Sequence, residues 1–262
     1  MSNSAGPIVV KIGGSTLAES DTSLRDLVTL QQQGCVPVVV HGGGPTISQW
    51  MQRQGLRPRF VKGLRVTDGP SLEIVVAVLT GLINKQLVAA ITSLGGKVVG
   101  LSGADGGILQ AKPADPELGF VGEIVNVDPG PIVELQKAGY IPLLAPVGVN
   151  MPDGVSDGCS LLNINGDTAA GHLAWALGAE KLVFLTDVEG VLDSSGRLVM
   201  RLGVKEARNF ISSGTAREGM IPKLEACIKA LERVAEARII DGRAPQSLLH
   251  AIDGNGGGTW LT

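Results

Sequence analysis

Aromatic side chains are scarce, with Phe, Trp and Tyr together making up 3% of the 262 residues. Single-stranded nucleic acids are held by stacking bases on such rings, so their scarcity argues against that kind of partner. There is no basic excess either: 22 Lys and Arg stand against 25 Asp and Glu, for a formal net charge of −3. A nucleic-acid binder needs a basic face, and an anionic ligand here must be held by a few placed cations and backbone amides. Small-molecule partners follow. The three cysteines, Cys35, Cys159 and Cys227, are odd in number and widely spaced. They form neither a disulfide framework nor a metal-ligand pair, which fits a reducing compartment.

Other absences narrow the chemistry. No Walker P-loop and no G-x-G-x-x-G fingerprint occurs, which removes the two commonest routes to nucleotide binding. No serine sits in a G-x-S-x-G elbow. His41, His172 and His250 stand at no metal-binding or triad spacing, and His41 is expected to pack beside its glycine turn without acting as a base. No basic n-region leads into an apolar signal segment. The most apolar stretch, Ile74 to Ile83, is about half a membrane span before Asn84-Lys85 interrupts it. The expectation is a soluble, cytoplasmic protein.

Hydrophobic residues at 44% and charged residues at 18% describe an ordinary globular chain. It is long enough for one large domain or two coupled lobes. The 37 glycines have no collagen-like period and gather in short knots, as tight strand-to-helix turns require. Ile8 to Ile12 reads as a buried strand feeding Gly13-Gly14, and a helical pattern follows around Leu24, Leu27, Val28 and Leu30. Val36 to His41, with Pro37 near its start, reads as a second strand closed by Gly42-Gly43-Gly44-Pro45. Strand, helix, strand at this spacing is a βαβ unit. The fold class is α/β: a three-layer α/β/α sandwich with a largely parallel central sheet.

A long helix is expected between Asp68 and Gly95, with Pro70 in its first turn. Its first half is apolar nearly all round, so it is either a central core helix or one shared with a second subunit. Further strands are expected at Val98–Leu101, Ile141–Leu144, Lys181–Thr186 and Arg238–Ile240, with loops and a hairpin over Gly103–Val127. Helices are expected from Asp167 to about Leu177, over Val204–Ser212 and over Gly219–Ala235.

Several residues stand out against this scaffold. Lys11 lies near the end of an apolar strand, and a buried lysine needs an anion or a cleft. In parallel sheets ligands gather at that strand edge. The turns Gly13-Gly14 and Gly42-Gly43-Gly44 let bare backbone approach a phosphate, although both also read as simple turns. Asn163-Ile164-Asn165-Gly166-Asp167 opens a helix; it suits capping, and equally a set of alternating ligand-facing side chains. Lys223 falls near a helix start, where a cation is not dipole-favoured; an anionic partner would explain it, although a solvated surface lysine is the default reading.

Taken in order, Val10-Lys11-Ile12-Gly13-Gly14, His41-Gly42-Gly43-Gly44-Pro45, Gly63-Leu64-Arg65-Val66-Thr67, Asn163-Ile164-Asn165-Gly166-Asp167, Leu185-Thr186-Asp187-Val188-Glu189-Gly190-Val191 and Gly219-Met220-Ile221-Pro222-Lys223 resemble the acetylglutamate kinases of the amino-acid kinase family. Each motif is weak alone, but six in register across the chain are specific.

The resemblance implies ATP-dependent phosphorylation of the side-chain carboxylate of N-acetyl-L-glutamate, a step of arginine biosynthesis, with ATP and Mg²⁺ and no protein metal ligand. It implies that Lys11 and Lys223 stabilise the transferring phosphoryl group, with Asp167 holding both. Gly14 and the Gly43-Gly44 turn would donate amides, Arg65 would grip the α-carboxylate, and Asn163 would bind the amino-acid moiety. Gly13, Thr186, Asp187, Val188, Gly190, Leu192, Thr215 and Arg217 would serve the nucleotide. On this reading residues 1–165 form a substrate lobe carrying a dimer-forming helix, and residues 166–262 a nucleotide lobe on one continuous sheet. Arginine-inhibited members carry an extra N-terminal helix. Met1 to Pro7 is too short for it, so an arginine-insensitive homodimer is expected, and the missing helix also counts against a PII-type partner. The rivals are an N-acetyl-aminoadipate kinase and a non-catalytic nucleotide or amino-acid sensor on the same fold.

Overall fold

A computed structural model describes residues 6–13, 22–151, 161–217 and 219–262. Its centre is an eight-stranded sheet in the order β12-β14-β13-β11-β1-β2-β8-β5. These strands span Arg201–Leu202 (β12), Thr259–Leu261 (β14), Glu236–Asp241 (β13), Lys181–Thr186 (β11), Ile8–Ile12 (β1), Val38–His41 (β2), Ile141–Ala145 (β8) and Val98–Ser102 (β5). All neighbouring pairs are parallel except β13 with β14. Pro37 lies just outside β2, where its missing N–H costs the ladder nothing.

Strand alternation sorts β1 between two cores. Ile8, Val10 and Ile12 face one apolar cluster, shared with Leu27 and Leu30 of helix Ser23–Gln32, Met51 of helix Gly44–Arg53, the helix Gly69–Ser93, and Leu248. Val9 faces the other, built from helices Gly166–Leu177 and Ile221–Ala230 and a second sheet. Helices on both faces of a mostly parallel sheet are the expected sandwich.

The second sheet, in the order β10-β9-β6-β7, joins Leu161–Asn163 (β10), Val147–Asn150 (β9), Leu109–Pro113 (β6) and Gly122–Val127 (β7). The expected hairpin within Gly103–Val127 is the antiparallel pair β6–β7. A two-stranded hairpin, Phe60–Val61 (β3) with Leu64–Arg65 (β4), brings Arg65 inward. Strands β3, β4, β9, β12 and β14 are not anticipated by sequence pattern, whereas β10 is the strand-like run that ends at Asn163. The expected helix over Gly219–Ala235 is shorter, running Ile221–Ala230 and then a turn.

Gly69–Ser93 is one helix of 25 residues, with a π-helical segment at Ala77–Ile83. Asp68 caps it, accepting the Ser71 amide at 2.9 Å, and Pro70 sits in its first turn. By length and apolarity alone this helix could cross a bilayer. Ile74, Val75, Val78, Leu79, Ile83, Leu87 and Ile91 are buried in the protein core, which accounts for its composition without a membrane.

Helices Gly166–Leu177 and Ile221–Ala230 pack backbone to backbone. A Cβ added at Gly171 would lie 2.6 Å from the Ala226 carbonyl oxygen and 2.8 Å from its Cα. Main-chain atoms cannot step aside, so Gly171→Ala is expected to destabilise the protein by roughly 1–3 kcal/mol. Thermal unfolding of that variant checks it.

Candidate active site

The C-terminal ends of β1, β2 and β11 meet two adjoining clefts, where ligands gather in parallel α/β sheets. The cleft on the β2 side has a volume of about 210 Å³. Lys11, Gly43, Gly44, Arg65, Asn163 and Asp167 all line it. The cleft on the β11 side is larger, about 680 Å³. Its walls include Thr186, Asp187, Val188, Gly190 and Leu192 from the chain after β11, and Thr215, Arg217 and Lys223 from the approach to helix Ile221–Ala230.

One carboxylate joins the clefts. Asp167 stands in the first turn of helix Gly166–Leu177, a favourable place for an anion. Asn165 caps that helix, its side-chain oxygen accepting the Asp167 and Thr168 amides at 2.8 and 3.1 Å. The capping reading of this motif holds for Asn165, while Asn163 and Asp167 line the cleft. Asp167 Oδ1 lies 2.6 Å from Lys11 Nζ, and Oδ2 accepts from Lys223 Nζ at 3.0 Å. Lys11 is on the same face of β1 as Val9, the face that this helix covers.

Lys11 and Asp167 are 7% and 6% exposed, so both groups have given up most of their hydration. Burial pushes the Lys11 pKa below the ordinary ammonium range; Asp167 opposes that shift, while Lys223 adds to it. Burial pushes the Asp167 carboxyl up, but Lys11 and Lys223 outweigh it and hold the group below the usual carboxylate range. The triad thus carries two cations on one anion, leaving one positive charge over where the clefts join.

Arg65 is 8% exposed, and burial lowers its pKa. Its guanidinium donates to the Gly44 carbonyl at 2.9 Å and the Ser48 hydroxyl at 2.8 Å, meets Met51 Sδ at 3.2 Å and stacks on Phe60 at 4.8 Å. Among the described residues it meets no carboxylate. A guanidinium presents a planar fork of donors that matches the geometry of a carboxylate. Asn163 is oriented by donating to the Thr67 hydroxyl at 2.9 Å.

Gly43 sits against the long helix: a Cβ there would lie 2.5 Å from Ile83 Cδ1 and 2.7 Å from Leu79 Cδ2. Its φ of 178° is ordinary extended backbone, so space is the reason for glycine here. Gly43 and Gly44 open helix Gly44–Arg53, whose first amides have no acceptor within the helix. Gly13 is in neither cleft wall, and its amide donates to the Leu185 carbonyl at 3.1 Å, extending the ladder. Gly14 and Cys159 lie outside the described residues. Ser48 and Thr67, which orient the ligand-facing side chains, carry no sequence signal beyond being small and polar. His41 is fully buried and its pKa is lowered to about 4, chiefly by that burial, so it packs beside its turn as expected and is no base.

The chain belongs to the amino acid kinase family, whose model matches residues 6–241. Among its relatives is the acetylglutamate kinase of Dehalococcoides mccartyi strain 195, 44% identical over 253 residues covering 96% of this chain and 93% of that protein. The acetylglutamate kinase of Synechococcus sp. strain RCC307 is 45% identical over 258 residues, covering 95% and 85%. Of solved structures, N-acetylglutamate synthase from Neisseria gonorrhoeae, complexed with coenzyme A and N-acetyl-glutamate, superposes with a TM-score of 0.84 at 28% identity. It covers 98% of this chain, which spans 59% of that longer protein. Carbamate kinase from Giardia, at 16% identity and a TM-score of 0.70, shares the fold.

Proposed function

We propose that this chain transfers the γ-phosphoryl group of ATP directly to the side-chain carboxylate of N-acetyl-L-glutamate, giving N-acetyl-glutamyl 5-phosphate for arginine biosynthesis. The observation that carries it is the Lys11–Asp167–Lys223 triad, set between a cleft holding carboxylate-free Arg65 and a larger cleft at the end of β11. A carboxylate acceptor has a solution pKa of about 4.3, so at neutral pH it is already ionised and needs no general base. Catalysis then reduces to alignment and stabilisation of charge on the transferring oxygens. The site's inventory of Lys, Arg, Asn and helix-start amides suits that task.

In this reading Arg65 grips the α-carboxylate, Asn163 the amino-acid moiety, and the amides of Gly43 and Gly44 the reacting oxygens. Lys11 and Lys223 face the transferring group from either side of Asp167. Residues Thr186 to Leu192, with Thr215 and Arg217, bed the nucleotide. Residues 1–165 serve the acceptor and 166–262 the nucleotide. Among the described residues no group of three or more His, Cys, Asp or Glu is placed to hold a metal, so Mg²⁺ is taken as part of the MgATP substrate, bound through phosphate oxygens and water.

The deciding experiment traps acyl phosphate as the hydroxamate and compares N-acetylglutamate with N-acetyl-aminoadipate. One methylene is worth only about 1–3 kcal/mol in a pocket, so a preference of roughly tenfold or more for acetylglutamate supports the reading. Preference for aminoadipate moves the substrate, and no turnover despite ATP binding overturns the catalytic assignment. Arg65→Lys keeps the charge but loses the two-pronged grip. It is expected to raise the acetylglutamate KM by roughly tenfold or more, with the ATP KM unchanged in the same assay.

The long helix presents Glu73, Ala77, Gly81, Lys85 and Ala89 along its exposed stripe, and the small residues there permit close approach of another helix. We infer a homodimer paired through this face. Sedimentation equilibrium of the full chain giving a monomer or a hexamer would sink that inference.

A further inference from the structure

The π-helical segment of the long helix ends at Ile83, and the next residue, Asn84, is only 1% exposed. A π-turn shifts the register of everything after it by one residue, and such insertions recur at functional sites. Here the result is a polar amide turned into the core between β2, β5 and β8. Asn84 Nδ2 lies 3.0 Å from the Leu143 carbonyl, 3.3 Å from the Leu101 carbonyl and 3.2 Å from His41 Nε2. Its Oδ1 accepts from Lys85 Nζ at 3.0 Å, and Lys85 also donates to the Gly100 carbonyl at 3.1 Å. A side chain at position 100 would collide with the Asn84 amide, so glycine leaves the room this network occupies.

The Lys85 ammonium can only donate and the carbonyls can only accept, which orients the Asn84 amide, whose two N–H hydrogens are shared among three acceptors. Reversing the Asn84 amide would set its oxygen against two backbone carbonyls, so the NH₂ faces them and faces His41. His41 Nε2 must then accept, which puts the imidazole proton on Nδ1. Nδ1 lies 3.0 Å from the Gly42 carbonyl and donates to it. The relay runs from Lys85 through Asn84 and His41 to Gly42, whose neighbours Gly43 and Gly44 line the acceptor cleft. Gly44 in turn holds Arg65 through its carbonyl.

We propose that Asn84 is a positioning residue for phosphoryl transfer: it fixes the Nδ1–H tautomer of His41, and through it the Gly42–Gly44 turn. The part of this concerning turnover rests on the acceptor-cleft assignment above, whereas the tautomer does not. Burial opposes protonation of His41, and so do the two nearby cations, Lys85 from the long helix on its own face of the sheet and Lys11 from the other face of β1. β8, the strand paired with β2, carries no charged residue over Ile141–Ala145. A neutral ring with a lone pair at Nε2 is the state these surroundings select.

Nitrogen-15 NMR of histidine-labelled full-length protein tests this, with His172→Gln and His250→Gln variants assigning the signals. His41 is expected to show the Nδ1–H tautomer unchanged from pH 8 to pH 5.5. An Nε2–H spectrum, or titration of His41 within that range, overturns the proposal whether or not turnover is seen. Asn84→Leu supplies the kinetic arm, since it is close in volume and removes the donor to Nε2 while setting no oxygen against the Leu101 and Leu143 carbonyls. In the same nitrogen-15 spectrum its His41 is expected to lose the single Nδ1–H pattern, and kcat should fall tenfold or more with the ATP KM unchanged. A His41 spectrum unchanged in Asn84→Leu, or a kcat within twofold of the unaltered protein, overturns the positioning role.

Discussion

Lys11→Ala is expected to lower kcat by about 10²–10³-fold, the usual cost of removing one preorganised charge partner from a transferring oxyanion, about 3–4 kcal/mol. The expectation follows from placement. Lys11 is buried at the cleft end of the central strand, 2.6 Å from Asp167, and lines the smaller cleft proposed for the acceptor. Its loss leaves Asp167 still paired with Lys223 at 3.0 Å, so no buried charge is stranded and the fold survives. The ATP KM should move little, since the larger cleft proposed for the nucleotide is walled by other residues. Steady-state kinetics beside a thermal melt separate the two effects. A kcat within threefold of the original would remove Lys11 from the chemistry.

Asp167→Asn reverses that logic, because it removes the one anion between two cations. Breaking a buried ion pair costs about 3–5 kcal/mol when the remaining charge cannot reach water. The Lys223 side chain is 17% exposed, which provides partial relief, so the lower end applies. About 3 kcal/mol corresponds to a fall in Tm of roughly 6–12 °C for a chain of this size. Turnover should drop at least as far as for Lys11→Ala, since both lysines lose their anchor. The pH dependence has a definite sign. The carboxyl pKa is depressed in the folded state, so its stabilisation is complete above the unfolded value of about 3.9 and disappears as pH falls through the folded value. The Tm gap between the two proteins should be flat from pH 8 to 5 and close below about pH 4. Calorimetry across that range decides it, and a gap that widens in acid would contradict the triad.

How much of this was readable in advance depends on the range of the physics involved. Lys11 announces itself, because a cation in an apolar strand is a local contradiction that only an anion or a cleft resolves. The turn at Gly42–Gly44 is also local. The reason for glycine at 43 is not: it is the approach of Leu79 and Ile83, roughly forty positions away in sequence. Arg65 looks like any hairpin arginine until the Gly44 carbonyl and Ser48 are seen to hold it, so resemblance supplied what spacing could not. Apolar periodicity finds the long helix but is blind to one inserted residue, hence the π-turn and the inward Asn84 were unreadable. The short strands β9, β12 and β14 form through pairing with distant partners, and runs of two to four residues carry too little pattern to show it.

The contact between Gly171 and Ala226 lies about one helical turn below Asp167 and Lys223. Its consequence concerns when the site is assembled. Because main chain meets main chain there, the gap between carboxylate and ammonium is a dimension of the scaffold, cut when the protein folds. Side-chain rotamers adjust within that gap and do not create it. Nucleotide arrival therefore need not spend binding energy drawing the cations together, and can spend it on aligning the γ-phosphorus. Widen that joint by one methyl group, and the catalyst would have to be rebuilt on every turnover.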